Sequence, residues 1–339
     1  MSQVPTRKIG SSDVPAIGYG AMSIAGALYG SAIDGDEERF KTLDAACETG
    51  CTHWDTADVY QDSEELIGNW FKRTGKRDQI FLATKCGIQL NSTGFTITGT
   101  PEYIKQACDK SLERIGVDCI DLYYLHRPDK NVPIEISIRA MSDLVKEGKV
   151  KHIGLSECSE STLRRAHAVH PIAALQVEYS PFWLEIEEKD VGLFDACKEL
   201  GIAVVAYSPL SRGLLTGRFK GPEDWAEDDI RHGYPRFSKE NFPRILDAVE
   251  KFKQVGEKHG ATPGQVALAW LLAQGDNVIP IPGTRSAKYV HDNAGSMNFK
   301  LSAEEVQDIR MYVENSKLPG KRHPDGYEEW GLIDTPPLV

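Results

Sequence analysis

The sequence predicts an α/β protein: a closed (β/α)8 barrel of the TIM type, with a small β-hairpin at the amino terminus and long loops at the C-terminal face of the strands. Two observations carry that expectation. Short β-rich apolar runs alternate with amphipathic helical patterns from end to end, and the alternation supplies eight strand candidates. Each apolar strand must be covered by the crossover helix that follows it, so eight such units in succession close a parallel sheet on itself. A length of 339 residues suits one barrel domain spanning 1–339, since neither a composition shift nor an internal repeat marks a linker. The alternative, an open doubly wound sheet, needs a reversal of strand order that no sequence feature displays.

Taken in order, TRKIG, SSD and VPAIG read as the hairpin, and the first barrel strand falls near IGYGAM. A helix follows at about Glu37 to Glu48. The remaining strands are expected at CTHWD (51–55), IFLATK (80–85), IDLYYLH (120–126), VKHIGLS (150–156), AALQVEYS (173–180), IAVVAYS (202–208) and VIPIPG (278–283). Between them lie the helical patterns DSEELIGNWFKR, PEYIKQACDKSLERIG, IEISIRAMSDLVKEG, SESTLRRAHAVH, VGLFDACKELG and PRILDAVEKFKQVGEKHG. Several stop at glycine, and Thr100-Pro101 and Ser159 supply start signals. Longer interruptions at 86–100, at 209–242 and after about residue 315 read as functional or disordered loops.

Composition narrows the function. Hydrophobic residues at 41% and charged residues at 26% are those of a globular chain with a sizeable core. A formal charge of −11 repels phosphate backbones and anionic lipid, so nucleic acid and membrane are not expected partners. The seven cysteines form no Cys-x-x-Cys pair or zinc-like spacing, and no apolar leader or membrane-length run is present; the chain is expected in the cytoplasm, without a metal, its oligomeric state open.

The last residues of the expected strands are Asp55, Lys85, His126, Ser156, Gln176 and Tyr207, with Gly283 and Thr284 after the eighth. A barrel gathers such ends on one face, where its active site lies. Each has an ordinary explanation singly: a loop aspartate is usually a cap, a tyrosine core or rim, a lysine surface. Their coincidence is what points to catalysis, together with Tyr60 five residues past Asp55. A free phenol, with a pKa of about 10, keeps its proton at neutral pH but releases it poorly. An adjacent ammonium favours the phenolate, so Lys85 is expected to make Tyr60 a better acid. Asp55 is expected to pair with Lys85, since a lone buried amine loses its proton. His126 is expected to direct a nitrogen at the oxygen of a bound carbonyl.

These residues resemble the aldo-keto reductases, and the likeness covers nearly the whole chain. The D-x4-Y of Asp55 and Tyr60, with Lys85 and His126, matches that family's catalytic tetrad. IGLSE (153–157), QVEYSP (176–181), AYSPLSRGLLTGR (206–218), ATPGQVALAWLLAQG (261–275) and IPGTR (281–285) are similar to its cofactor-binding and late-helix signatures. The nearest subgroup is that of YakC-like and auxin-induced-like reductases, with pyridoxal reductases more distant. The resemblance implies NADPH or NADP+ extended across the strand ends, reduction of an aldehyde or ketone by hydride transfer, and proton donation by Tyr60. By position, Ser156 and Gln176 hold the nicotinamide amide and Tyr207 stacks on its ring. Ser208, Leu210, Gly213 and Arg218 line the pyrophosphate and its covering loop, and Gly283, Thr284, Arg285, Tyr289, Asp292 and Asn293 hold the adenosine end.

Chemistry supports the last group independently. Gly, Thr and Arg where a strand meets a helix amino terminus suit a phosphate, through backbone N–H groups, the helix dipole and a forked guanidinium. Arg285 therefore favours NADPH over NADH. Two departures from the wider family pattern stand out: Glu157 occupies a position often held by asparagine, although Ser-Glu resembles the form of this subgroup, and Tyr289 one often held by Arg or Gln.

GYGAMS begins like a Rossmann fingerprint, but Ser23 replaces its last glycine and no helix follows; it reads as a first strand whose backbone, at Gly20 and Met22, approaches the cofactor. Met22, Ile24, Ile88, Arg127 and Phe182 are expected to border the substrate pocket. His167 and His170 lack a third ligand, Cys158 reads as a buried small hydrophobe, and the tail HPDGYEEWGLIDTPPLV either covers the pocket or trails in solvent. Two other functions fit the same residues: an NADP(H)-binding auxiliary subunit with little turnover, and a barrel isomerase using Lys85 as a Schiff-base former.

Overall fold

A computed structural model describes residues 4–25, 35–92, 94–316, 320–323 and 330–339. Strands β1 (Thr6–Ile9) and β2 (Ser12–Pro15) form the antiparallel amino-terminal hairpin. The barrel strands are β3 (Tyr19–Gly20), β4 (His53–Asp55), β5 (Phe81–Cys86), β8 (Ile120–Leu125), β9 (Val150–Ser156), β10 (Ile172–Glu178), β11 (Ala203–Tyr207) and β12 (Val278–Pro280), while β6 (Ile88–Asn91) and β7 (Gly94–Ile97) pair as a separate hairpin. The barrel strands run parallel in that spatial order, so each pairs with the next along the chain.

The edges β3 and β12 meet. Gly18 N donates to Pro280 O at 2.9 Å and Gly20 N to Pro282 O at 3.3 Å, which closes the sheet. The eighth strand is shorter than its apolar run because Pro280 and Pro282 have no N–H to donate, leaving only their carbonyls for the closing bonds. Glycine is required at this seam: a Cβ on Gly20 would stand 2.8 Å from Ile281 O, and one on Gly283 would stand 2.9 Å from Gly20 O.

Around the barrel lie α1 (Asp36–Glu48), α2 (Ser63–Thr74), α3 (Pro101–Ile115), α4 (Ile134–Lys146), α5 (Glu160–Val169), α6 (Leu193–Leu200), α7 (Phe242–His259), α8 (Pro263–Leu272), α9 (Ala287–Gly295) and α10 (Ala303–Asn315). The start signals act as expected: Pro101 opens α3 after extended Thr100, and the Ser159 hydroxyl accepts from Thr162 N at 3.1 Å. Helix α3 stops where Gly116 adopts a left-handed φ of 73°.

Strand periodicity divides the core. Tyr123 and Leu125 of β8, Leu175 and Val177 of β10, and Val204 and Ala206 of β11 point outward into the layer shared with the helices. Leu122, Tyr124, Ala174, Ala203 and Val205 fill the barrel interior, where Ile9 and Val14 of the hairpin join them and plug the bottom. At the top of the inward rows stand the polar residues, because period 2 carries Leu122 and Tyr124 on to His126, Ala83 to Lys85, and Val205 to Tyr207.

The described residues of the three long interruptions carry local structure. Residues 86–100 contain the β6–β7 hairpin, and 209–242 folds as 3-10 turns over an apolar cluster of Leu214, Phe219, Trp225, Phe237 and Phe242. In the tail, residues 324–329 lie outside the described residues. Beyond them Ile333 N donates to Glu157 O at 3.0 Å and Ser159 N to Ile333 O at 2.8 Å, and Arg165 holds the carbonyls of Thr335 and Pro336. The chain end is therefore fastened to the start of α5.

Candidate active site

A cavity of about 1420 Å³ opens at the C-terminal ends of the strands. Asp55, Tyr60, His126, Ser156, Gln176 and Tyr207 line its inner end, and Lys85 lies fully buried beneath them. The Lys85 ammonium donates to Asp55 Oδ1 at 2.5 Å and to Thr56 O at 2.6 Å, and stands 5.0 Å from the centre of the Tyr60 ring. The His126 imidazole meets the Tyr60 ring edge-on at 5.7 Å. Four residues from three strand ends thus converge on one spot.

Electrostatics sets their protonation. Burial works against the Lys85 ammonium, yet Asp55 and then Tyr60 outweigh it and hold its pKa above the ordinary lysine value. A lysine so held is a poor Schiff-base former, which counts against the isomerase. Burial pushes the Tyr60 phenol up; Lys85 draws it back down, and the balance stays above the usual phenol range. Lys85 therefore offsets part of the burial and makes Tyr60 more acidic than it would be alone at this depth, but not a stronger acid than a free phenol. The cause is depth, since ring and amine share a desolvated floor. Burial, with Lys85 and Arg127 adding to it, holds His126 well below its usual range, so the imidazole is neutral.

Hydrogen bonds orient the next layer. Gln176 Nε2 donates to Asp55 Oδ2 at 2.7 Å, and Arg127 Nη1 donates to His126 O at 2.7 Å and to Ser156 Oγ at 3.2 Å. The remaining Gln176 oxygen and Ser156 hydroxyl proton are then complementary to a carboxamide.

The rest of the cavity contains Gly20, Met22, Ser208, Leu210, Gly213, Arg218, Gly283, Thr284, Arg285, Tyr289, Asp292 and Asn293. Tyr19 OH donates to Thr284 O at 2.6 Å and fixes the loop that leads into α9. Backbone strain gathers on this face: Gln61, Glu157, Ser208, Ser211 and Arg212 all have positive φ, a costly conformation for side chains beyond glycine. Of the expected substrate-pocket residues, Met22, Ile88 and Arg127 line the cavity. Ile24 and Phe182 do not: Ile24 is buried against the α1–α2 core, and Phe182, partly buried, packs against two apolar clusters. Both follow a strand end in the sequence but pack their side chains against core. Leu90, His323 and Trp330 border the cavity instead, and they come from the hairpin and tail that sequence reading left as loops.

Glu157 faces away from the cavity. It is buried, and its carboxylate receives both terminal nitrogens of Arg322, at 2.9 and 2.5 Å. Cys158 is buried too, with its thiol raised well above the ordinary value by burial. His167 Nδ1 accepts from Ile172 N at 3.2 Å, and His170 Nδ1 sits 3.0 Å from Pro171 O, so both rings serve local backbone.

Asp58 shows what this depth costs. Tyr103 OH donates to its Oδ2 at 3.4 Å, while Oδ1 is buried without a hydrogen-bond partner among the described residues. Burial, reinforced by Glu64, pushes its pKa up to about 7. A carboxyl whose folded pKa is raised binds more protons folded than unfolded, so stability falls as pH rises from the unfolded value to about 7. Asp58→Asn is accordingly expected to raise the melting temperature at about pH 8 and to change it little at about pH 4. Thermal melts across that range check this; an equal shift at both pH values contradicts it.

A parallel barrel with a carboxylate-held lysine, a phenol and a neutral imidazole at one mouth has the groups that a carbonyl-reducing enzyme needs to orient and protonate a carbonyl oxygen. Comparison with known proteins agrees with that class. The model of the Aldo/keto reductase family matches residues 16–314. The chain is 56% identical to the aldo-keto reductase str7 of Strobilurus tenacellus, over 99% of both proteins. It is 48% identical to the NADP(+) aldo-keto reductase yakc of Schizosaccharomyces pombe, again over 99% of both. Among solved structures, the glycerol dehydrogenase of Gluconobacter oxydans superposes with a TM-score of 0.84 at 28% identity, covering 95% of this chain and 98% of that one. The chain belongs to the aldo-keto reductase family. Among the described residues, no helix is long and apolar enough to cross a membrane.

Proposed function

We propose that this chain, acting as a single barrel domain over residues 1–339, reduces an aldehyde or ketone to the alcohol with NADPH, Tyr60 delivering the proton. The observation that carries the reading is the meeting of Tyr60 and His126 above the Lys85–Asp55 pair, at one end of a cavity whose other end is the amino terminus of α9. The donor set fits the dinucleotide: a carboxamide-sized pair at Ser156 and Gln176, an aromatic platform at Tyr207, bare backbone at Gly20 and Gly283, and Thr284 and Arg285 for phosphate. Bound NADPH supplies the hydride.

The residues of the chain do the rest. His126, neutral and held edge-on to Tyr60, orients the carbonyl oxygen. Tyr60 gives its proton to that oxygen, and the phenolate left behind faces the Lys85 ammonium, whose position Asp55 and Thr56 O fix beforehand. Met22, Ile88, Leu90 and Trp330 make an apolar wall, which favours an apolar or aromatic carbonyl. All seven cysteines are free thiols, in keeping with a reducing cytoplasm.

A panel of carbonyl compounds followed by NADPH absorbance tests the reading; tight NADPH binding with no turnover on any member would favour the auxiliary subunit. Arg285→Met is expected to weaken NADPH about ten- to hundredfold, the usual worth of a charge-assisted contact, while NADH affinity barely moves. Equal losses for the two nucleotides would remove Arg285 from the 2′-phosphate.

A further inference from the structure

Behind Tyr207 lies a buried ion cluster that the reaction does not use. Arg322, in the tail beyond α10, is its centre. Its Nε donates to Glu178 Oε2 at 3.0 Å, Nη1 to Glu157 Oε2 at 2.9 Å and to Glu185 Oε2 at 3.2 Å, and Nη2 to Glu157 Oε1 at 2.5 Å and to Tyr207 OH at 2.8 Å. A guanidinium has five N–H donors in a fixed fork, and these five bonds engage all of them. Glu178 is shared, because Arg236 from the loop over the cavity donates to its Oε1 at 2.5 Å. The Trp183 ring is approached by both guanidiniums, at 5.0 and 5.7 Å. Glu157, Glu178, Arg236 and Arg322 are each nine-tenths or more buried.

Stability does not explain such an arrangement. Desolvating four charges costs about what their attraction returns, and well-packed apolar residues would serve as well or better. What the cluster supplies is placement. Glu157 follows Ser156 at the end of β9, Glu178 ends β10 and Tyr207 ends β11, so three adjacent strand tips are tied to one side chain of the tail.

We propose that Arg322 is a positioning residue for the nicotinamide: it docks the carboxyl-terminal tail on Glu157 and Glu178 and, by the same guanidinium, sets the ring of Tyr207. The inference rests on the nicotinamide site proposed above. It couples two parts of the pocket, since His323, the next residue, and Trp330 further along the tail line the cavity. Docking of the tail and seating of the nicotinamide are then one event. It also gives the departure at Glu157 a physical reason: the carboxylate is the socket for Arg322.

The test compares two ligands of the full-length protein, NADP+ and adenosine 2′,5′-bisphosphate, which lacks the nicotinamide. Tyr207→Ala first calibrates the site and is expected to weaken NADP+ but not the bisphosphate. Arg322→Lys keeps the charge, and hence the balance of the buried cluster, but cannot span both glutamates and the phenol. It is expected to weaken NADP+ about three- to tenfold, the worth of one lost hydrogen bond, with the bisphosphate unchanged. Tyr207→Phe, which deletes only the acceptor, is expected to reproduce that split, and adding Arg322→Lys to it to cause no further loss. A role in folding alone would lower affinity for both ligands together. If Tyr207→Ala separates the ligands but Arg322→Lys and Tyr207→Phe do not, the inference is overturned and the nicotinamide site stands. If Tyr207→Ala fails to separate them, both fall. Should Arg322→Lys not fold, Tyr207→Phe decides alone, and NADP+ binding unchanged in that variant overturns the proposal.

Discussion

Tyr60→Phe is expected to lower turnover by about 10²- to 10⁴-fold, the usual contribution of a positioned general acid, with the NADPH dissociation constant unchanged. The substitution removes one oxygen from a ring that packs edge-on against His126 and over the Lys85 ammonium, so the cavity keeps its shape and charge. Stopped-flow hydride transfer with a reactive aldehyde, alongside nucleotide titration, separates the two quantities. Turnover within a few-fold of the parent enzyme would remove Tyr60 from the role of acid. The pH profile carries a second expectation. Tyr60 is held above the ordinary phenol pKa and must be protonated to act, so activity should persist through neutral pH and decline only above about 10. His126, held well below its usual range, is already neutral there, so no loss attributable to its protonation is expected between about pH 6 and 8.

Lys85→Met is expected to cost as much activity and to destabilise the fold as well. The ammonium is fully buried and supplies the hydrogen bond to Asp55 Oδ1, so its removal leaves a carboxylate in a dry site with, among the described residues, only Gln176 to answer it. Breaking one side of a buried pair typically costs about 3–5 kcal/mol. The double variant Asp55→Asn/Lys85→Met should recover most of that stability, since the stranded charge is gone, but none of the turnover. Denaturant unfolding and turnover measured on the three proteins test the claim. Recovery of activity in the double variant would show that Lys85 serves the fold alone.

Much of this site was legible because barrel chemistry collects at strand ends, and strand ends can be read from where apolar runs stop. Asp55, Lys85, His126 and Tyr207 followed from that rule, and the period-2 rows of β5, β8 and β11 show why it holds. The rule gave out where neighbours are distant in sequence. Ile24 and Phe182 sit beside site residues in the chain yet turn into core, a choice made by packing partners from other elements. Helix α10 went unread although its capping box, Ser302 with Glu305, was a local signal in plain view. The β6–β7 hairpin had none as strong, being polar and partly exposed.

The pattern of apolar runs and the identity of the residues at or just past their ends determined the barrel and the four candidate catalytic side chains, because both depend on local periodicity and on chemistry that each residue type carries alone; that Gly20 and Gly283 close the seam came only from the fold. Which protonation states those side chains hold, which loops wall the pocket, and that a tail arginine 115 positions from Tyr207 reaches its hydroxyl were decided only by tertiary structure. Desolvation and ion pairing depend on what surrounds a group in space, and one strand's sequence says nothing of the segment that will fold against it.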